Sequence, residues 1–123
     1  MTQDKQLLLK DLCSRLPYGV KYRTIGSNFA FTLKWIDKLN RLDGDVRLEN
    51  AKIFLRPMSS MTEEEQKEYH KTFRPEVYGN GFIYVESFRS FDWLNEHHFD
   101  YRGLIPKGLA LSTEEFNPYE NKD

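Results

Sequence analysis

The spacing of apolar residues along this chain changes several times, and each change marks an element. Over residues 3–16, Leu8, Leu9, Leu12, Cys13 and Leu16 recur at spacings of three and four, with Lys5, Gln6, Lys10, Asp11 and Arg15 on the other side. That pattern predicts an amphipathic helix with one buried stripe. Thr2 suits its N-cap and Asp4 its first turn, and Pro17 ends it, because the residue before a proline is pushed out of the helical region. From Tyr18 the period becomes two. Tyr18, Val20 and Tyr22 alternate with Gly19, Lys21 and Arg23. After Gly26-Ser27-Asn28 the alternation resumes with Phe29, Phe31, Leu33 and Trp35. Two such runs around a short Gly/Asn loop predict a β-hairpin. Val46 and Leu48 begin a third strand beyond the Asp43-Gly44 turn, and 51–56 reads as a fourth, closed by Pro57.

The second half opens with Thr62 three residues before Glu65, the spacing of a capping box, with Glu63, Glu64 and Glu65 at the positive end of the helix dipole. This helix should run to about Phe73, with Tyr69 and Phe73 as its small apolar face. Arg74-Pro75 through Gly79-Asn80-Gly81 reads as a loop, and Phe82–Glu86 as a short strand added to the earlier ones. Phe88–Leu111 reads as an aromatic-faced helix, a corner at Phe99-Asp100, a short second helical turn capped by Asp100, and a closing apolar strand. Trp93, Leu94, Phe99, Leu104 and Leu109 are its expected core contacts. The predicted class is α+β. Strands in series with no helix between them imply a small antiparallel meander, which can curl into an SH3-like barrel, with the N-terminal helix and the later helices packed on it. The chain reads as one domain, 1–123, with 112–123 as a flexible polar tail.

Composition adds one feature. Aromatics supply 15% of the 123 residues, so a core of this size can bury much area per side chain, or the surface can be adhesive. A net charge of −1 with acids and bases interspersed argues against strong non-specific nucleic-acid binding. What remains for nucleic acid is a local face of Lys21, Arg23 and Lys34 on the solvent side of the first hairpin, with a nearby Tyr or Trp as stacking platform. The single Cys13 cannot form an internal disulfide and reads as a buried, inert thiol. No leader pattern or membrane-length apolar run appears, so the expected location is the cytoplasm.

The candidate chemistry sits in the last third. His97 and His98 adjoin Asp100 and Arg102 at the corner, and this group is the candidate functional corner. Adjacent helical residues point about 100° apart, so the two imidazoles do not naturally serve one metal. Histidines at a helix C-terminus are favoured by the dipole when protonated. No Ser/His/Asp order, phosphate loop, dinucleotide fingerprint or cysteine pair is present, so the reading is of a protein that is not an enzyme and needs no cofactor or metal. A small hydrolase or metal protein using His97, His98 and Asp100 is the alternative.

Three blocks carry a resemblance: residues 7–21 (LLLKDLCSRLPYGVK), 54–65 (FLRPMSSMTEEE) and 92–111 (DWLNEHHFDYRGLIPKGLAL). Together they resemble a family of small proteins without assigned activity, encoded in gut Bacteroidetes genomes and in their phages and prophages. The resemblance implies a cytosolic bacterial protein of chromosomal or mobile-element origin, and transfers no catalytic residue. The expected function is a non-enzymatic accessory or adaptor module that binds another protein through aromatic and acidic surface. A nucleic-acid-binding module on the Lys21, Arg23 and Lys34 face is its rival.

Overall fold

The computed structural model describes residues 2–120. Helix α1, Gln3–Arg15, is capped as expected: the Thr2 hydroxyl accepts a hydrogen bond from the Lys5 N–H at 3.2 Å. A 3₁₀ turn over Leu16–Tyr18 leads to β1, Lys21–Thr24. Strands β2 (Phe31–Thr32), β3 (Arg41–Leu42), β4 (Val46–Arg47) and β5 (Ala51–Leu55) follow, then α2 (Glu63–His70), β6 (Arg74–Tyr78), β7 (Gly81–Val85), α3 (Phe88–Glu96) and β8 (Ala110–Ser112).

The main sheet has the order β2-β1-β5-β8. The first hairpin forms in the expected place, with Tyr22 opposite Phe31, and its rings lie 5.9 Å apart. The rest departs from a meander. Strand β5 passes over its predecessors to pair antiparallel with β1, and β8 joins the other edge of β5 in parallel, Ile53 beside Ala110. Strands β3 and β4 form a separate small hairpin. Leu48, expected within a strand, begins a 3₁₀ turn over Leu48–Asn50. The sheet stays open, so the class is α+β, with a main sheet that is antiparallel except for β8, two antiparallel hairpins beside it, and no closed barrel among the described residues.

One face of this sheet meets α1. Leu8 and Leu12 pack with Val20, Tyr22, Ile53, Leu55 and Leu104 in the larger core, where each fully buried aliphatic side chain is worth about 1.5–3 kcal/mol. A second core of Tyr69, Leu94 and Phe99, flanked by Phe73, Trp93 and Tyr101, joins α2 to α3. Of the five core contacts expected from the 88–111 stretch, Leu94, Phe99 and Leu104 are fully buried, and Trp93 and Leu109 partly so.

Two expectations for α1 fail. Cys13 is exposed, while Asp11 and Arg15 are fully buried. Arg15 Nε donates to Asp11 Oδ2 at 2.7 Å and Nη2 donates to Oδ1 at 3.1 Å. Nη2 also donates to the Phe99 carbonyl at 2.6 Å, and Arg102 Nη1 donates to Asp11 Oδ1 at 2.8 Å. The buried stripe is therefore rotated toward these two ionic residues, because the corner from the far end of the chain supplies their remaining partners. The 101–108 stretch forms turns with no regular helix, in place of the expected short second helical turn. Ser112, read as the start of a polar tail, ends β8, and residues 113–120 continue against the sheet: Tyr119 donates to the Phe54 carbonyl at 2.8 Å and accepts from the Lys21 N–H at 2.8 Å, and Phe116 stands 5.7 Å edge-on to Phe54. Residues 121–123 of that expected tail lie outside the described residues.

Candidate functional site

Strands β6 and β7 make up a hairpin that pairs with no other strand among the described residues. Residues 74–81, read as a loop because of Pro75 and the glycines, thus contain a full strand, and Phe82–Glu86 pairs with it rather than with the main sheet. The two-residue turn Gly79-Asn80 explains the registration: Gly79 takes φ 61°, the left-handed value that the first central position of such a turn requires. Tyr78 is then opposite Gly81, Val77 opposite Phe82, Glu76 opposite Ile83 and Pro75 opposite Tyr84.

Side chains alternate across a strand, so Pro75, Val77, Phe82 and Tyr84 share one face, and Arg74, Glu76, Tyr78, Ile83 and Val85 share the other. The first face is wholly apolar or aromatic. Both faces are open to solvent: Val77 is 77% exposed, Phe82 71% and Tyr84 69% on the first, and Tyr78 74% and Ile83 44% on the mixed one. The charges, Arg74 and Glu76, lie on the mixed face and pair with each other at 2.8 Å. An amphipathic hairpin normally turns its apolar face to the core. This one leaves that face uncovered.

The base of the hairpin is fixed at both ends. Before β6, the Thr72 hydroxyl contacts the buried Ser90 hydroxyl at 2.8 Å; after β7, the Ser87 hydroxyl donates to the Thr72 carbonyl at 2.7 Å. The Ser87 N–H donates to Ser90 Oγ at 2.9 Å, and the Tyr69 hydroxyl donates to the Glu86 carboxylate; burial, then this bond, raises the Tyr69 pKa. Helix α2 holds its place through its own cap, Thr62 with Glu65, and through Arg56, which grips Glu65 at 2.6 and 2.7 Å and lies 4.1 Å over the Phe99 ring. These bonds to Arg56 hold the Glu65 carboxyl down at about 2. The acidic run thus begins as a capped helix, and Glu63 and Glu64 point to solvent.

The candidate corner is brought together as a structural joint. Asp100 is buried and accepts hydrogen bonds from the Leu104 and Ile105 N–H groups at 2.8 and 2.9 Å. Arg102 is turned back to Asp11 and Ser14 and lies 4.7 Å over the Tyr101 ring. The histidines diverge. His97 stacks on Trp93 at 4.0 Å with its Nδ1 2.9 Å from the Trp93 carbonyl, whereas His98 takes φ 65° and stacks on Tyr119 at 3.8 Å. Burial, then the nearby Arg15, His97, Arg56 and Lys21 charges, lower the His98 pKa to about 4. Its buried Nδ1 has no partner among the described residues. No cluster of three His, Cys, Asp or Glu side chains able to hold a metal occurs among the described residues. Asp100→Ala should cost about 1–2 kcal/mol, the loss typical of a side-chain cap, read as a lowered urea midpoint. An unchanged midpoint would remove Asp100 from this structural role.

Lys21 and Arg23 do share a face of β1, but Lys21 Nζ is tied to Thr32 Oγ1 at 2.9 Å. Lys34 lies past β2, where its backbone N–H donates to Asp43. The basic neighbour of Arg23 is Lys52, directly across on β5, and the two line an open groove beside the Gly26-Ser27-Asn28 loop. Sequence spacing does not announce that pair, since it depends on β5 rather than β2 lying on this side of Arg23.

Architecturally this is an open α+β sheet domain carrying a projecting hairpin, and no helix among the described residues is long and apolar enough to cross a membrane. No protein-family model, curated protein or solved structure matches the chain.

Proposed function

We propose that this chain is a protein-binding accessory or adaptor module whose contact element is the β6–β7 hairpin. The observation that supports this reading is the outward apolar face of Pro75, Val77, Phe82 and Tyr84 on a base clamped at Thr72, Ser87 and Ser90. A contiguous apolar patch on a fixed platform is what a partner surface needs: large aromatic area and little conformational freedom to lose on binding. The resemblance to proteins of gut Bacteroidetes and their phages suggests where the partner lies, in a bacterial cytoplasm and among the products of neighbouring genes. The reading requires no catalytic group.

The test compares captured proteins. Tagged wild-type chain and a Val77→Ser/Phe82→Ser variant are used as bait in an extract of the native host. Both substituted positions are exposed, so the fold should lose little stability. A protein retained by the wild type and at least tenfold depleted with the variant supports the reading; equal capture overturns it. The second reading, nucleic-acid binding, rests on Arg23 facing Lys52 across the sheet beside the open groove. Binding of DNA or RNA that weakens steeply with salt and is lost in Arg23→Ala/Lys52→Ala would favour it over the first.

A further inference from the structure

The hairpin has two outer edges, and they are not equivalent. Its two-residue turn makes Tyr78 and Gly81 a hydrogen-bonded pair, so Glu76 with Ile83 and Arg74 with Val85 are bonded pairs as well. The residues between them aim their backbone groups outward: Pro75 and Val77 from β6, Phe82 and Tyr84 from β7. On β6 the outward position at Pro75 has no N–H to give, so that edge is blocked to a further strand. On β7 the Phe82 and Tyr84 N–H and C=O groups are all open, and among the described residues none makes another hydrogen bond. Strand β7 reads Gly-Phe-Ile-Tyr-Val, with no charge, proline or lysine to discourage pairing. Proteins normally protect such an edge.

We propose that the chain forms a two-fold symmetric dimer by antiparallel pairing of β7 with β7 of a second copy, giving one four-stranded sheet in the order β6-β7-β7-β6. The proposal deepens the reading of the hairpin as the contact element and rests on it. One register satisfies every outward group of both strands: Phe82 of each copy opposite Tyr84 of the other, with the two Ile83 residues facing each other on the axis. In that register Glu86 falls opposite Asn80 of the second copy, so no like charges meet. The Arg74–Glu76 pairs stay on the outer strands and are already neutralised. Pro75 caps both ends of the new sheet, so the assembly closes at two copies instead of growing into a fibre. A two-stranded hairpin is marginal alone, and four strands are not. The dimer also sets both Pro75, Val77, Phe82 and Tyr84 faces side by side, doubling the apolar platform.

Ile83 gives a clean test because it lies on the mixed face, away from that platform. Sedimentation equilibrium of the full chain at micromolar concentration should give twice the 14.7 kDa chain mass. Ile83→Lys and Ile83→Asp should each shift the mass to that of the monomer, since each places like charges directly opposite across the axis. An equimolar mixture of the two should recover the dimer, which also shows that neither variant is misfolded. A monomeric wild type overturns the proposal. So does a dimer that survives Ile83→Lys but dissociates in Val77→Ser/Phe82→Ser, because that is face-to-face packing. The two readings fail separately: monomeric Ile83→Lys that still captures the host partner retains partner binding. A partner captured equally by the Val77→Ser/Phe82→Ser variant removes that reading and leaves the dimer standing.

Discussion

Asp11→Ala should lower the stability of this domain by about 3–5 kcal/mol, the usual consequence of stripping one partner from a buried ion pair. The carboxylate is fully enclosed and receives Arg15 through two bonds and Arg102 through a third. Without it, the Arg15 guanidinium remains buried with the Phe99 carbonyl and the Tyr101 ring, 5.3 Å away, as its main company. A domain of this size has only about 5–15 kcal/mol in total, so the variant should populate unfolded chain at modest temperature. The informative control is Asp11→Leu/Arg15→Met, which removes both charges and keeps the volume. It should recover part of the loss, since an apolar replacement for a buried pair is often neutral, although Arg102 must then turn to solvent and the Phe99 carbonyl loses its donor. Urea midpoints followed by tryptophan fluorescence measure both. A loss below about 1 kcal/mol in Asp11→Ala would show that the pair is solvated in practice.

Acid should unfold the protein in two adjoining stages. His98 has a folded pKa near 4 against an ordinary 6.5, so between those values the unfolded chain binds a proton that the folded chain refuses. Stability therefore falls as pH drops from 6.5 to 4, by roughly 3 kcal/mol, and this group contributes no further loss below that. Glu65 acts lower. Its carboxyl is held at about 2 against 4.5, so the stability from its Arg56 bonds is present above 4.5 and is lost as pH falls toward 2. His98→Asn tests the upper stage, because asparagine tolerates the left-handed backbone at φ 65° and does not titrate. Urea midpoints for the variant should be nearly flat between pH 6.5 and 4.5 where the wild type declines. An equal decline in both would assign the acid sensitivity to another group.

The local elements were largely legible in the sequence, whereas their partners were not. The Thr2 and Thr62 caps, the first hairpin and the corner at Asp100 all appear where residue chemistry predicts them. These are decided within a few residues. Strand order is decided by distant segments, so the pairing of β5 with β1 and β8 could not be read from spacing. Asp11 and Arg15 were misplaced for the same reason: four residues apart on a helix, they resemble a solvent-facing pair until Phe99 and Arg102 arrive. The β6–β7 hairpin was missed on a closer signal. Pro75 suggested a loop, but proline is permitted where its missing N–H would face outward on an edge strand, and Gly79-Asn80 between Tyr78 and Gly81 is a recognisable two-residue turn.

The parallel pairing of β8 with β5 also has a consequence for synthesis. As the polypeptide leaves the ribosome, Ile53, Phe54 and Leu55 emerge long before Ala110, Leu111 and Ser112, their neighbours in the finished sheet. During that interval one edge of the most buried strand has nothing beside it, and the Phe99 carbonyl that Arg15 needs has not been made. Folding must wait for a contact of large sequence separation, the kind that slows a chain most. The nascent chain therefore leaves that apolar edge unpaired until its last third has been made. A chain cut short anywhere before Ala110 lacks that edge strand altogether.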